Sequence, residues 1–142
     1  MGRLIGIDYG VKRTGLAVTD PERRIAGKLQ TLPSGEVMAF IETYLANEQV
    51  DGFVIGYPRQ MNNRPSESAA QVKGFARALQ LKFPDYSIYW MDERFTSKMA
   101  FQAMIDGGLP KMKRRDKGMV DAISAVIILE SFLSKSDKTE IQ

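Results

Sequence analysis

Three carboxylates, Asp8, Glu93 and Asp121, are the residues of this sequence whose types and positions best suit chemistry. The 142 residues include no histidine and no cysteine. This absence excludes Ser-His-Asp and Cys-His catalysis, zinc held by histidine or thiolate, and a disulfide framework. Any reaction must therefore use carboxylates, lysine, tyrosine, hydroxyls or a metal ion held by oxygen ligands.

Asp8 closes a β-prone segment, residues 3–8, in which side chains alternate between the two faces of a sheet. The alternation places Asp8 on the face of Leu4, inside the sheet, where an unpaired carboxylate is costly. Two interpretations are open: the carboxylate accepts backbone N–H bonds from the turn at residues 10–13, or it serves a functional site. Gly6 and Gly10 favour the second, because glycine lets a phosphate or another molecule's backbone approach closely.

Asp121 lies near the start of a helix predicted over residues 117–134. Residues 119–129 are apolar almost all round this helix, which predicts a buried helix rather than an amphipathic one. The positive end of the helix dipole is an alternative reason for a carboxylate there, but a gain of about 0.3–1 kcal/mol is too small to offset full burial. We therefore expect Asp121 to have a charged partner.

Glu93 follows a predicted strand at residues 87–91, at the carboxyl end where open α/β sheets gather their ligand sites. Taken alone, the run Asp92-Glu93-Arg94 is typical of a solvated loop. If the first strand, the fifth strand and the last helix converge, however, three carboxylates meet, and such a set suits octahedral magnesium or manganese. Two such ions, about 4 Å apart, activate a water on one side of a phosphorus and stabilise the leaving oxygen on the other.

The elements that must position these acids follow from the spacing of apolar residues and from turn signals. Three β-prone segments separated by tight turns come first, and they predict an antiparallel meander. Helices and two further strands then alternate, with Pro33 before the first helix and Pro84 after the second. The predicted strands cover residues 3–8, 14–19, 24–32, 52–56 and 87–91, and the predicted helices lie near residues 37–45, 66–83, 96–106 and 117–134.

The order βββαβαβαα predicts an α/β fold with a mixed five-stranded sheet, in which the three-strand antiparallel meander lies beside parallel strands joined by helices. Helices should cover both faces of this sheet, which is the ribonuclease H-like arrangement. A length of 142 residues with 44% hydrophobic content is enough for one domain over residues 1–142. We expect the polar tail at residues 135–142 to be disordered.

Four blocks of the sequence carry a resemblance to a known family: residues 6–20 (GIDYGVKRTGLAVTD), 54–58 (VIGYP), 92–97 (DERFTS) and 120–129 (VDAISAVIIL). They resemble the YqgF-type Holliday junction resolvases, also described as nucleases that mature the small-subunit ribosomal RNA precursor. With the spacing between them, the blocks cover essentially the whole chain. The resemblance implies a ribonuclease H-like fold and a metal-dependent phosphodiesterase site, with the family's acidic positions falling on Asp8, Glu93 and Asp121.

One loop departs from the family's pattern. After Pro58 the family commonly has Asn-Met-Asp-Gly, whereas this sequence has Gln60-Met61-Asn62-Asn63. The departure concerns loop geometry and substrate preference, and it leaves the acidic triad unchanged. The resemblance implies as substrate either a four-way DNA junction or the 5′ end of the ribosomal RNA precursor.

Basic residues near the acids predict contacts with a nucleic-acid backbone, although a charged run can also be a solvated surface. Lys12 and Arg13 stand in the turn after Asp8, where they could meet a phosphate held by the metals. A basic loop precedes the helix of Asp121, and the loop after the fourth strand adds two arginines, with Tyr57 as a stacking platform. Besides Lys12 and Arg13, the predicted nucleic-acid-binding residues are Arg59, Arg64, Lys113, Arg114 and Arg115.

Two other functions stay open at this point. The run Asp8-Tyr9-Gly10 followed by Thr14-Gly15 is similar to the phosphate-binding hairpin of the actin and sugar-kinase ATPases, which close two such domains over a nucleotide. A nucleic-acid-binding or ribosome-associated module without catalysis would use the basic loop and bind only structural metal.

Charge and hydropathy limit the partners and the compartment. The net charge of +3 is compatible with an anionic partner if the basic residues cluster, which suits ribosomal RNA precursor or branched DNA. We expect no signal peptide and no membrane segment, because no apolar stretch reaches the roughly 20 residues that span a bilayer. The sequence thus predicts a cytoplasmic protein, either a monomer or a homodimer, that uses Mg²⁺ or Mn²⁺.

Overall fold

The computed structural model describes residues 2–57, 69–92 and 117–134. Its strands are β1 (Arg3–Asp8), β2 (Arg13–Thr19), β3 (Ala26–Pro33), β4 (Val50–Tyr57) and β5 (Ser87–Asp92). Its helices are α1 (Val37–Asn47), α2 (Ala69–Lys82) and α3 (Lys117–Ser134), and a short 3₁₀ turn (Ser34–Glu36) leads into α1. The predicted helix at residues 96–106, the first three residues (66–68) of the helix predicted at 66–83 and the tail at 135–142 lie outside the described residues.

The strands form one mixed sheet in the order β3-β2-β1-β4-β5. β2 pairs with β1 and β3 in antiparallel fashion, whereas β4 pairs with β1 and β5 in parallel fashion. β1 therefore lies at the centre, where the meander joins the parallel half. The predicted mixed five-stranded sheet is confirmed.

The two faces of the sheet are covered by different helices, as the alternation of side chains in β1 predicts. Ile5 and Ile7 belong to a buried cluster with apolar residues of α1 and α2, which recur at helical spacing. Leu4 belongs to a second cluster, together with Ala17, Val54 and the buried side of α3. Asp8 has the same parity as Leu4 and therefore lies on the face that α3 covers.

α3 differs in one respect from the prediction of a helix buried all round. Over residues 122–134, whose side chains the structure describes, the buried ones lie on one side, and they are Ala122, Ser124, Ala125, Ile128, Leu129 and Phe132. Ile123, Val126 and Ile127 are only half-buried. The apolar run therefore overstated the burial, because the sheet contacts only one side of the helix.

β3 begins two residues later than predicted, at Ala26. The Asp20 carboxylate accepts hydrogen bonds from the backbone N–H groups of Arg24 at 2.7 Å and Ile25 at 2.9 Å, which keep both residues in the turn. The bond from Ile25 is the main reason that the pKa of Asp20 is lowered. In the part of the chain that the model describes, no helix is long and apolar enough to cross a membrane.

At the start of β4, the Asp51 carboxylate accepts a hydrogen bond from the Gly2 backbone N–H at 2.8 Å and contacts the Arg23 guanidinium at 2.5 Å. The Gly2 bond first, and then Arg23, lower the pKa of Asp51 from its ordinary value of 3.8. Because the folded pKa is lowered, this stabilisation is complete above pH 3.8 and is lost as pH falls through the folded value.

Asp51→Asn is therefore expected to lower the free energy of unfolding at pH 7, by less than about 1 kcal/mol because water screens the pair. The difference from the wild type should be smaller at pH 3, because the contribution of the carboxylate is lost as the pH falls through the folded pKa. Urea denaturation of both proteins at the two pH values measures it. An equal difference at both values would show that ionisation of Asp51 does not contribute.

Candidate active site at the carboxyl end of the sheet

β1, β4 and β5 run parallel, so their last residues lie at one end of the sheet, here called the carboxyl end. Asp8 is the last residue of β1, and Tyr57 and Asp92 are paired at the ends of β4 and β5. Glu93 is the next residue of the chain after Asp92 and lies outside the described residues. The chain therefore leaves β5 towards Glu93 at the same end of the sheet at which β1 ends with Asp8.

α3 runs antiparallel to β1. Its last turn, including Leu133 and Ser134, lines a surface recess with Arg24 and Ala26, at the end of the sheet opposite Asp8. Further back along the helix, Ala125 and Leu129 lie against Gly6, in the middle of β1. The first turns of α3 therefore point towards the carboxyl end. Asp121 is one helical turn before Ala125, in that direction.

Gly6 makes this close approach possible. A Cβ atom at Gly6 would lie 2.5 Å from Leu129 Cγ and 2.9 Å from the Ala125 carbonyl oxygen. A Cβ atom at Gly10 would lie 2.6 Å from the Arg13 carbonyl oxygen. For Gly6, the expectation that glycine admits a phosphate or another molecule was wrong, because α3 of this chain fills the space. For Gly10 it stays a prediction.

Asp8 itself is half-buried and lies opposite Gly15 of β2. Partial burial leaves part of this residue exposed, as a metal ligand requires. Asp8, Glu93 and Asp121 are the residues that could hold a divalent ion, and a set made only of carboxylates fits a hard cation. No group of three His, Cys, Asp or Glu side chains that could hold a metal ion occurs among the described side chains, which include neither Glu93 nor Asp121.

Ser124 is a buried polar group on the side of α3 that faces the sheet. Its side chain is 1% exposed, and its hydroxyl has no hydrogen-bond partner among the residues described. It lies three residues after Asp121, hence on the same side of the helix one turn further on.

Ser124→Ala is expected to raise the free energy of unfolding by about 0.5–1 kcal/mol, because it removes an unsatisfied buried hydroxyl and alanine has the higher helix propensity. Urea denaturation measures the change. A loss of stability would mean that the hydroxyl has a partner in solution. A normal cleavage rate in the same variant would confirm that the hydroxyl has no part in the reaction.

Among the predicted nucleic-acid contacts, Lys12 is exposed in the turn after β1, and Arg13 is half-buried at the start of β2. Both line a shallow surface recess together with Thr31, Leu32 and Pro33. The other predicted basic residues, Arg59, Arg64, Lys113, Arg114 and Arg115, lie outside the described residues.

The idea that Tyr57 is a stacking platform was wrong. The residue is 9% exposed, and its ring packs against Trp90 in an edge-on contact with centroids 5.2 Å apart. Lys73 Nζ lies 5.6 Å from the centre of the same ring. Since neighbours cover the ring, Tyr57 supports the end of β4 rather than a nucleic-acid base.

Sequence reasoning missed a hydroxyl pair beneath the turn between β1 and β2. Ser34 Oγ donates a hydrogen bond to the Gly10 carbonyl oxygen and lies 2.8 Å from Thr14 Oγ1. The Ser34 backbone N–H donates to the Lys12 carbonyl oxygen at 3.0 Å. The sequence signals only a turn at Ser34, because the partners are 20 and 24 residues away.

Comparison with solved structures identifies the fold. Thermus thermophilus RuvC in complex with Holliday junction substrate is similar with a TM-score of 0.61 and 18% identity, covering 99% of this chain and 100% of RuvC. A second Thermus thermophilus RuvC structure gives a TM-score of 0.57 and 17% identity, covering 98% of this chain and 99% of that one. At this identity the likeness concerns the fold, and it confirms the predicted ribonuclease H-like arrangement.

Comparison of sequences identifies the family. The family described as "RuvX: Holliday junction resolvase" matches residues 2–135. A protein of Porphyromonas gingivalis is 50% identical over 138 residues, covering 97% of this chain and all of the relative, and one of Parabacteroides distasonis is 52% identical over 133 residues, covering 94% and 95%. Both carry the name "Putative pre-16S rRNA nuclease". The chain therefore belongs to the RuvX family and is a nuclease, as the resemblance implied.

Proposed function

We propose that this nuclease hydrolyses phosphodiester bonds with divalent metal ions held by Asp8, Glu93 and Asp121, and that its substrate is the 5′ end of the small-subunit ribosomal RNA precursor. The main support for this site is the direction of three elements. β1 and β5 both end at the carboxyl end of the sheet, and the first turns of α3 point towards that same end. Relatives that are about half identical over nearly their whole length support the RNA substrate through their name.

In this proposal the carboxylates bind and orient, and the basic residues contact the substrate. Bound Mg²⁺ or Mn²⁺ would supply an activated water and charge stabilisation of the leaving oxygen. Asp8 lies at the end of the central strand, which is held by pairing on both sides. Lys12, Arg13 and the basic loop at residues 113–115 would neutralise the phosphate backbone and set the position of the scissile bond.

The test is an incubation of the protein with two labelled substrates, a ribosomal RNA precursor carrying its 5′ leader and a four-way DNA junction. Each reaction contains Mn²⁺, Mg²⁺ or EDTA. We expect cleavage of the RNA that needs the metal. Cleavage that persists in EDTA would contradict the metal site, and binding of RNA without any cleavage would instead support the non-catalytic module.

Holliday junction resolution is the second candidate, because the family description names it. A resolvase cuts two symmetric strands and therefore needs two copies of the site. Symmetric cutting of the junction, with a dimer in sedimentation analysis, would favour this function. Cutting of the RNA alone by a monomer would rule against it.

A further inference from the structure

The hydroxyl pair Ser34 and Thr14 lies beneath the turn that connects Asp8 to β2. Ser34 Oγ–H donates to the Gly10 carbonyl oxygen, and a serine hydroxyl has only one proton to donate. In the contact of 2.8 Å between the two hydroxyls, Thr14 Oγ1 must therefore be the donor and Ser34 Oγ the acceptor. Thr14 is fully buried, so this donor has no access to water.

Ser34 thus holds two carbonyl groups of one short turn. Its hydroxyl binds the Gly10 carbonyl, and its backbone N–H binds the Lys12 carbonyl at 3.0 Å. The turn is also held at its first residue, because the Tyr9 ring stacks on Phe75 of α2 with centroids 4.5 Å apart. These contacts with Ser34 and Phe75 fix the backbone from Tyr9 to Lys12, while the Lys12 side chain is exposed to solvent.

The contacts of Ser34 fix the backbone beneath the exposed Lys12. A lysine side chain is long and flexible, so its ammonium group has a defined mean position only if its Cα atom does. The turn directly follows Asp8, so any shift of its backbone moves Lys12 relative to the carboxylate. A misplacement of about 1 Å can lower an enzymatic rate by as much as 10²-fold.

We propose that Ser34 is a positioning residue, which holds the β1–β2 turn so that Lys12 meets the substrate phosphate next to Asp8. This inference rests on the proposed function, in which Lys12 contacts the phosphate. Ser34 touches neither substrate nor metal and acts only through the turn. Its effect on cleavage must therefore depend on the presence of the Lys12 side chain.

A double-mutant cycle tests this dependence. We expect Ser34→Ala to lower kcat/KM by roughly 10-fold when Lys12 is present, and by less than about 2-fold in the Lys12→Ala background. Ser34→Thr keeps the hydroxyl and should restore most of the activity. If Ser34→Ala does not fold, Thr14→Val replaces it in the cycle, because it is isosteric and removes the hydrogen bond that Ser34 Oγ accepts.

Thr19→Val is the matched control at the opposite end of the same strand pair. The Thr19 hydroxyl is also fully buried, accepts from the Leu4 N–H at 2.9 Å and donates to the Asp20 carbonyl at 2.9 Å. Loss of the Thr19 hydroxyl should lower thermal stability, as we also expect for Ser34→Ala. Its kcat/KM should stay within about 2-fold of wild type at a temperature at which circular dichroism shows every variant folded.

The outcomes separate the inference from the proposed function. Equal losses from Ser34→Ala with and without Lys12, or an equal loss in Thr19→Val, would overturn the positioning role while leaving the nuclease intact. A silent Lys12→Ala would overturn it too, because Lys12 would then have no phosphate to meet. Unchanged cleavage by an Asp8→Asn protein would refute the proposed site itself.

Discussion

Asp8→Asn is expected to abolish cleavage while leaving the protein folded. The substitution keeps the shape of the side chain and removes the negative charge that a divalent ion needs. We expect kcat to fall by about 10³-fold or more, which corresponds to roughly 4 kcal/mol of lost transition-state stabilisation. The thermal midpoint should be unchanged or raised, because the proposed site places Asp8 near two further carboxylates, and the variant would relieve the repulsion between them.

Asp51→Asn is the control for this experiment. It makes the same chemical change at the opposite end of the neighbouring strand, where the carboxylate binds Gly2 and Arg23. It should retain cleavage and lose stability, so the two variants should show opposite patterns. A stable Asp8→Asn protein that still cuts would mean that cleavage does not need the Asp8 carboxylate, and one that unfolds would mean that Asp8 has a structural role.

Gly6→Ala is expected to have the largest effect on stability. The new methyl group would lie 2.5 Å from Leu129 Cγ and 2.9 Å from the Ala125 carbonyl oxygen, and backbone cannot yield without moving α3. Overpacking of this kind costs about 1–3 kcal/mol, and we expect the upper part of that range. Because α3 also carries Asp121, cleavage should decrease even where the variant remains folded.

Gly27→Ala is the matched control, because a Cβ atom at Gly27 has no heavy atom within 4 Å. It should change the free energy of unfolding by less than about 0.5 kcal/mol. Leu129→Ala relieves one of the two contacts at Gly6, so the double variant Gly6→Ala/Leu129→Ala should be less destabilised than the sum of the single variants. Additive losses in denaturant titrations would argue against a direct clash.

The sheet and its two covered faces could be predicted because β1 has a period of two and the helices have a period near 3.6. The first and last residues of strands and helices were harder to predict where a side-chain hydrogen bond determines them. Arg24 and Ile25 suit a strand, but the Asp20 carboxylate binds both of their N–H groups and keeps them in the turn. The exposure of Ile25, at 71%, reflects a local hydrogen bond that outweighs hydrophobicity.

For the site, its residue type and its position at the end of a strand were sufficient to predict Asp8 as a candidate. Contacts between residues far apart in the sequence could not be predicted. Nothing near Ser34 indicates that it binds the turn after Asp8. Gly6 was expected to admit a ligand, and only the packing of α3 reveals its actual neighbours. The roles of Asp8, Glu93 and Asp121 stay predictions.

The contact between α3 and β1 has a consequence for the order of events during synthesis. β1, β2 and β3 follow one another closely, whereas residues 117–134 must return to residues 3–8. In a nascent chain, β1, β2 and β3 can thus pair early. The apolar sheet face formed by Leu4, Ala17 and Val54 stays uncovered until α3 has left the ribosome. If Asp121 belongs to the site, nuclease activity begins only after translation has delivered α3, so an unfinished chain cannot cleave nucleic acid near the ribosome.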